Sequence, residues 1–253
     1  MRIVGPSYSR NCQQDVLELL RKGGSLSAYR SNPNQSLGPR SGSWAFKLEK
    51  LAERMFHLKH CIATTSGTMA LLAGLRAMRL SRGDEVITSP FTFSATASSI
   101  CFSNLVPVFA DVHPVTFCLD LRSAELCMDQ KTAAILPIDI FGRLANYGLL
   151  QKLGKPMFED ACQAVGGWGP GLAGSYGVAA SFAFQGVKNV PAGEAGMLCT
   201  SNAQFAITAR KWISHGENWR DECGAAEIGI NGRMNEITAC IAYHGLLAVK
   251  ARN

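Results

Sequence analysis

Apolar residues recur along the chain in two rhythms. Between positions 43 and 56, Trp44, Leu48, Leu51 and Met55 fall at spacings of four, three and four, which is one face of a helix and reads as a core stripe. Farther on, short apolar runs without alternation, at 61–64, 85–88, 106–111, 133–138 and 157–159, predict strands. Helical patterns at 68–80 and 93–102 lie between the first pairs. Runs apolar on both faces and joined by helices predict a mainly parallel sheet covered on both sides, so the expected architecture is a three-layer α/β sandwich. Nearer the start, 16–21 reads as helix, while 23–43 is rich in Gly, Ser, Asn and Pro and reads as a long irregular segment. The expected organisation is an N-terminal segment over 1–42 and one large domain over 43–253.

Composition adds exclusions. With 47% hydrophobic and 17% charged residues in 253 positions, the chain has the make-up of an ordinary globular domain. No apolar run reaches the ~20 residues of a membrane helix, and the first 21 residues lack the layout of a secretory signal. A cytoplasmic protein without membrane contact is expected. The net charge of +6 is spread without a Lys/Arg block. It reads as a solubility charge that permits a basic pocket for a phosphorylated substrate, and it gives no footprint for nucleic acid. Nine cysteines are an odd number without a CxxC pair, which argues against a disulfide framework and a cysteine zinc site. The five histidines show no HExxH spacing, so no metal is expected.

In a parallel sheet ligands gather beyond the carboxyl ends of the strands, and four such ends carry useful chemistry. Thr65-Ser66-Gly67-Thr68 follows a strand and opens a helix, where free N–H groups and the helix dipole attract a phosphate. Pro90-Phe91-Thr92-Phe93 can lay an aromatic ring on a flat cofactor. Met157-Phe158-Glu159-Asp160 leaves a buried strand on a carboxylate able to keep a pyridine nitrogen protonated. Phe182-Ala183-Phe184-Gln185-Gly186-Val187-Lys188 runs from an apolar stretch into a lysine, followed by Gly193-Glu194-Ala195-Gly196. A lysine near a phosphate and a partly buried wall can form a Schiff base. Taken singly, each has a plainer reading: a helix cap, a core aromatic, a capping Asp, a solvated lysine.

Their order carries more. The segments TSGTMALL (65–72), GDEVITSPFTFSAT (83–96), VPVFAD (106–111), EDACQA (159–164), 182–196 and GINGRMNEITA (229–239) together resemble the DegT/DnrJ/StrS family of sugar aminotransferases, from about position 43 onward. That resemblance implies the large domain of a fold-type-I transferase dependent on pyridoxal 5'-phosphate (PLP). It implies that Gly67 and Thr68 bind the cofactor phosphate, Phe93 stacks on the ring, Asp160 pairs with the pyridine nitrogen and Gln163 lies near the ring hydroxyl. Lys188 holds the cofactor as a Schiff base, and Lys188 and Asp160 are the catalytic pair. Asn231, in the family's GxNxRM pattern, reaches the phosphate of a neighbouring subunit, which implies a homodimer. The implied reaction moves an amino group from L-glutamate to a keto sugar, most often nucleotide-linked.

Several features depart from the family pattern. Ala183 stands where a serine usually contributes a hydroxyl to the phosphate, and Ser181, ~7 Å away on the same strand face, is not a direct substitute. Ala195 stands within a Gly-Glu-Gly-Gly run and is strained if that position needs positive φ. The family's smaller C-terminal domain is largely absent from the 253 residues. Two further readings follow. Gln185 resembles the branch that aminates cyclitols and aminobenzoate precursors, which implies a free cyclic ketone as substrate. Ala183, Ala195 and the short chain fit a catalytically silent binder of PLP or a sugar nucleotide, against which stand Asp160, Gln163 and Lys188.

Overall fold

A computed structural model describes residues 8–23, 25–27, 43–167, 169–217, 225 and 227–249. Its elements, in chain order, are α1 (Arg10–Lys22), α2 (Trp44–Phe56), β1 (His60–Thr64), α3 (Gly67–Ala77), β2 (Glu85–Thr88), α4 (Ala95–Phe102), β3 (Val106–Phe109), α5 (Leu121–Leu126), β4 (Thr132–Ile135), α6 (Tyr147–Leu150), β5 (Phe158–Asp160), β6 (Ala179–Ala183), β7 (Gly196–Thr200), α7 (Ala203–Trp212) and α8 (Glu236–Leu247).

The strands form two hydrogen-bonded groups, β1-β7-β6-β5 and β3-β2-β4. Parallel bridges from Ile135 to Met157 and from Ile138 to Asp160 join β4 to β5 and make one continuous surface of the two. β7 runs antiparallel to β1 and β6, while β2 is parallel to β3 and β4, and β5 to β6. The expected mainly parallel sheet is therefore present with one reversed strand. β7 was not among the predicted strands.

Alternation along the strands makes the layers. On β1, Cys61 and Ala63 join the core under α2 and α8, whereas Ile62 between them joins the core under α3 and α7. On β7, Met197 and Cys199 divide from Leu198 in the same way. Both faces are buried, which is why the sequence shows continuous apolar runs. At ~1.5–3 kcal/mol for each large apolar side chain fully removed from water, two buried faces are the main stabilising term.

The helical stripe at 43–56 becomes α2. Ser43 caps it by accepting the Phe46 amide, and the left-handed His57 (φ 55) ends it. Leu48 and Leu51 are buried, with Trp44 and Met55 packed at the edge. Glu49, on the same face, is buried in a paired site: its Oε2 accepts from Arg210 Nη2 at 2.7 Å, and its Oε1 from the Ala63 amide at 2.9 Å. That pair ties α2, β1 and α7 together. α1 is longer than the predicted 16–21 and packs on α8. Most of the predicted irregular segment lies outside the described residues. Within it, Ser27 pairs with Asn235 and the Leu26 carbonyl accepts the Glu236 amide. No described helix is long and apolar enough to cross a membrane.

Candidate active site

The carboxyl ends of β1, β5 and β6 meet on one side of the sheet. β1 runs into Thr65 and Ser66, and Ser66 caps α3 by accepting the Met69 amide. The Gly67 and Thr68 amides, ahead of the first intrahelical bond, donate to no protein acceptor among the described residues. They are the free donors of a helix N-terminus. The loop is pressed onto the strands beside it. A Cβ at Gly67 would lie 2.7 Å from Ala183 Cβ and 3.0 Å from Cys162 Sγ. One at Gly196 would lie 2.3 Å from the Ser66 carbonyl.

Asp160 ends β5 and is buried. Its Oδ2 accepts from the Thr96 hydroxyl at 2.7 Å and its Oδ1 from the Cys162 amide at 3.2 Å. Thr96 also exchanges a hydrogen bond with Thr92 at 2.9 Å. The acid is thus fixed on both oxygens from two elements. Cys162, two positions on, reaches both the Gly67 loop and a cavity of about 260 Å³ that Gln163, Lys188 and Phe141 also line. Burial pushes the Cys162 thiol well above its ordinary range, and the Asp160 charge adds to this while the nearby Lys188 opposes it. The thiol is therefore a neutral spacer here and not a nucleophile.

Lys188 sits on a loop pinned at both ends. The Phe184 amide donates to Ala195 O and the Ala192 amide to Phe184 O, each at 2.8 Å. Within the loop the Lys188 amide bonds Gln185 O at 2.8 Å, and Gln185 Oε1 accepts the Val187 amide at 3.0 Å. The Gln185 side chain is thus engaged with its own loop. Gln163 Oε1 accepts the Phe141 amide at 3.2 Å, which braces a residue held at φ 54 at the cavity mouth. A larger cavity of about 980 Å³ adjoins through Phe141 and Gly142 and is lined by Arg143 and His113.

The remaining expected residues lie at the margins. Phe93 is 70% exposed at the foot of α4, outside the Lys188 cavity, and its carbonyl accepts the Thr96 amide. Asn231 is exposed, and its neighbour Gly232 accepts the Thr65 amide at 3.0 Å. This stretch therefore abuts the Gly67 loop of its own chain. Ser181 is buried, with its hydroxyl donating to Glu159 O at 3.3 Å, so it is committed elsewhere. The conditional strain at Ala195 is absent: positive φ occurs at Gly193 (φ 83) and not at Ala195.

The supporting roles of three residues escaped the sequence reading. Thr96 carries only the weak signal of standing four positions after Thr92. Cys162 carries none. Asp139 is buried next to Asp160, its amide donating to Asp160 O at 3.0 Å. Its Oδ1 accepts from the Ala145 amide and the Tyr147 hydroxyl, while Oδ2 has no partner among the described residues. Burial pushes its carboxyl up to about 7, aided by the Glu159 and Asp160 charges, against the pull of those two hydrogen bonds.

Comparison with known proteins bears on the family and the fold. The sequence profile of the DegT/DnrJ/EryC1/StrS aminotransferase family matches residues 32–253. The chain is 35% identical over 206 residues to the "Pleiotropic regulatory protein" of Geobacillus stearothermophilus, covering 79% of this chain and 55% of that one. It is 33% identical over 205 residues to the GDP-perosamine synthase of Caulobacter vibrioides, with the same coverages of 79% and 55%. The chain thus spans about half the length of the curated relatives it matches. Among solved structures, Helicobacter pylori PseC, an aminotransferase of pseudoaminic acid biosynthesis, superposes with a TM-score of 0.87 at 25% identity, over 98% of this chain and 65% of that one. NtdA of Bacillus subtilis, solved with bound cofactor PMP, gives 0.80 at 27% identity over 99% and 58%. The fold is that of fold-type-I PLP-dependent aminotransferases, and the chain belongs to the DegT/DnrJ/EryC1/StrS aminotransferase family.

Proposed function

We propose that the chain is the cofactor-binding part of a PLP-dependent aminotransferase that moves an amino group from L-glutamate to a keto sugar, nucleotide-linked by preference. One observation carries the reading. Asp160, fixed on both oxygens, lies two positions from Cys162, whose side chain touches the Gly67 loop and lines the Lys188 cavity. Free backbone amides, a buried acid and a lysine, far apart in sequence, thus stand around one thiol, which supports the reading. The residues fit PLP: the unpartnered Gly67 and Thr68 amides suit its phosphate, and Asp160 suits a protonated ring nitrogen.

When bound, PLP supplies an aldehyde that takes up amines and a ring that withdraws electrons. Lys188 supplies the amine that anchors it, then holds and returns a proton at its Nζ. Asp160 would face the ring nitrogen, its two oxygens held by the Thr96 hydroxyl and the Cys162 amide. Gln163, braced on Phe141, would border the ring hydroxyl, and Phe93, exposed outside the Lys188 cavity, would cover one ring face. Ala183 lies under the phosphate donors and offers no hydroxyl.

The reading includes a homodimer in which Asn231 reaches the partner's phosphate, with 43–253 as the cofactor-binding domain. Phe93, Phe141, Phe91 and Phe117 are each more than 40% exposed beside the site, and Phe91 lies 5.5 Å from Phe117 and 6.0 Å from Phe141 between ring centres. Such an apolar patch suits a subunit contact. A sedimentation run showing only monomer, with and without PLP, removes that part. A cytoplasmic place is part of the reading, in keeping with nine cysteines that are an odd number without a CxxC pair.

Addition of PLP to the purified chain tests the whole. A visible absorption band is expected, absent in Lys188→Ala and in Lys188→Arg, whose guanidinium is no nucleophile. L-Glutamate should bleach it, and Asp160→Asn should keep some band but lose most of the bleaching. A band that survives Lys188→Ala refutes the lysine assignment. One that no amino donor alters makes the chain a binder.

A further inference from the structure

Away from this site, α1 and α8 bring together a second set of reactive side chains. A carboxylate oxygen of Asp15, the sulfur of Cys240 and an imidazole nitrogen of His244 all lie within 4.8 Å of one another. Cys240 and His244 stand four apart on α8 and so share a face. Asp15 meets them from α1, and His244 Nε2 lies 2.7 Å from Asp15 Oδ2. Cys12, one turn before Asp15, is buried and within electrostatic reach of Cys240. Both thiols are free, and neither sulfur makes a hydrogen bond among the described residues. Cys240 is fully buried, while the His244 and Asp15 side chains are 14% and 33% exposed, which leaves an entry path from solvent.

We propose that Asp15, Cys240 and His244 form a binding site for a borderline-soft divalent cation of the Zn²⁺ type, which clamps α1 onto α8. Thiolate, imidazole and carboxylate are the donors zinc takes, and water completes four-coordination. A thiolate and a carboxylate neutralise a divalent ion, while the nearby Lys47 ammonium is turned 4.1 Å over the Trp44 ring. Zn–N and Zn–S bonds of about 2.0–2.3 Å put tetrahedral donors roughly 3.3–3.7 Å apart. The His244–Asp15 contact therefore has to open by about half an ångström and the widest gap to close by about one, within reach of side-chain torsions. The clamp also answers a packing question. Of the residues of α1 only Cys12 is buried, and Leu17 and Leu20 are about half exposed, so apolar burial alone holds this helix weakly. No spacing motif announces the site, because Asp15 and His244 stand 229 positions apart.

Cobalt(II) is the probe. The full chain, stripped with a chelator, is titrated with Co²⁺, and the difference spectrum is read for the visible bands of tetrahedral cobalt and the near-ultraviolet thiolate charge-transfer band. One equivalent with both features is expected, displaced by Zn²⁺. Cys240→Ser should lose the charge-transfer band, and His244→Gln and Asp15→Asn should each weaken binding roughly tenfold or more, at least what is lost when a mere outer contact of a metal site is removed. Should the buried Cys240→Ser fail to fold, Asp15→Asn, at a partly exposed position, still reads the site. A hydrogen bond that merely joins two helices gives no cobalt spectrum. Absence of tetrahedral bands, or bands unchanged in Asp15→Asn and His244→Gln, overturns the proposal.

Discussion

Gly196→Ala tests the packing that builds the Gly67 loop. β7 presses its first residue onto the turn after β1, so the new methyl would sit 2.3 Å from Ser66 C and O and 2.5 Å from Gly67 N. Ordinary contacts of this kind are ~3.5 Å, so backbone must part from backbone by about 1 Å, with no flexible side chain to absorb it. The ladder resists, because Gly196 is paired to Thr64 on one side and Ala183 on the other. Overpacking costs ~1–3 kcal/mol, and a weakened ladder bond adds ~1 kcal/mol, so about 3 kcal/mol is expected. For a domain of this size that is a fall in Tm of roughly 6–12 °C. PLP affinity, read by the visible band, should fall as well because the Gly67 amide is displaced. Ala195→Gly is the control: that residue is buried without positive φ, so it should lose only ~1–2 kcal/mol for a buried methyl and added chain entropy, with cofactor affinity unchanged. A Gly196→Ala variant within 2 °C or so of the parent, or an equal affinity loss from Ala195→Gly, would refute the close approach as the reason for that glycine.

Three further outcomes follow from neighbouring contacts. Ala183→Ser places a hydroxyl beside Gly67, and since a hydrogen bond to a charged group is worth ~1.5–3 kcal/mol, PLP titration should show affinity tighter by roughly tenfold or more; unchanged affinity would mean that Ala183 does not face the phosphate. Arg210→Met leaves the Glu49 carboxylate buried with one amide donor, so urea unfolding should show a loss of ~3–5 kcal/mol, and Glu49→Gln combined with it should recover part of that loss. Asp139, raised by burial from 3.8 to about 7, binds a proton in the folded chain but not in the unfolded one across that window. Stability from this group therefore declines as pH rises from about 4 to about 7, by up to ~4 kcal/mol. Asp139→Asn should flatten the decline between pH 5 and 8, and an unchanged slope counts against a neutral buried acid.

What the sequence made legible is the part whose residue types are dictated by chemistry. A helix opening on Ser-Gly-Thr, an acid closing an apolar run and a lysine leaving a strand each carry a local signal, and the structure brings Gly67, Asp160 and Lys188 around Cys162. Strand and helix positions were likewise readable wherever the core pattern was continuous, as in α2 and β2. Boundaries slipped by a few residues where a cap or a left-handed residue decided them: Ser66 starts α3 before the predicted position, and Arg79 (φ 54) lies beyond its early end at Ala77.

The supports were illegible because they are fixed by tertiary contact and not by type. Thr96 meets Asp160 across 64 positions and Arg210 meets Glu49 across 161, and nothing in a threonine or an arginine says which carboxylate it will face. The same holds for Gly193-Glu194-Ala195-Gly196. Composition alone singles out Ala195 as the odd member of a glycine run, yet backbone geometry needs glycine at Gly193, where φ is 83, and close approach needs it at Gly196. Ala195 meets neither requirement, so a methyl there is tolerated and buried. One of the two residue arguments for a silent relative thereby loses its force. The other, Ala183, remains as a missing hydroxyl beside the Gly67 loop, a deficit that on the proposed reading bears on how tightly a phosphate would be held and leaves Asp160 and Lys188 untouched.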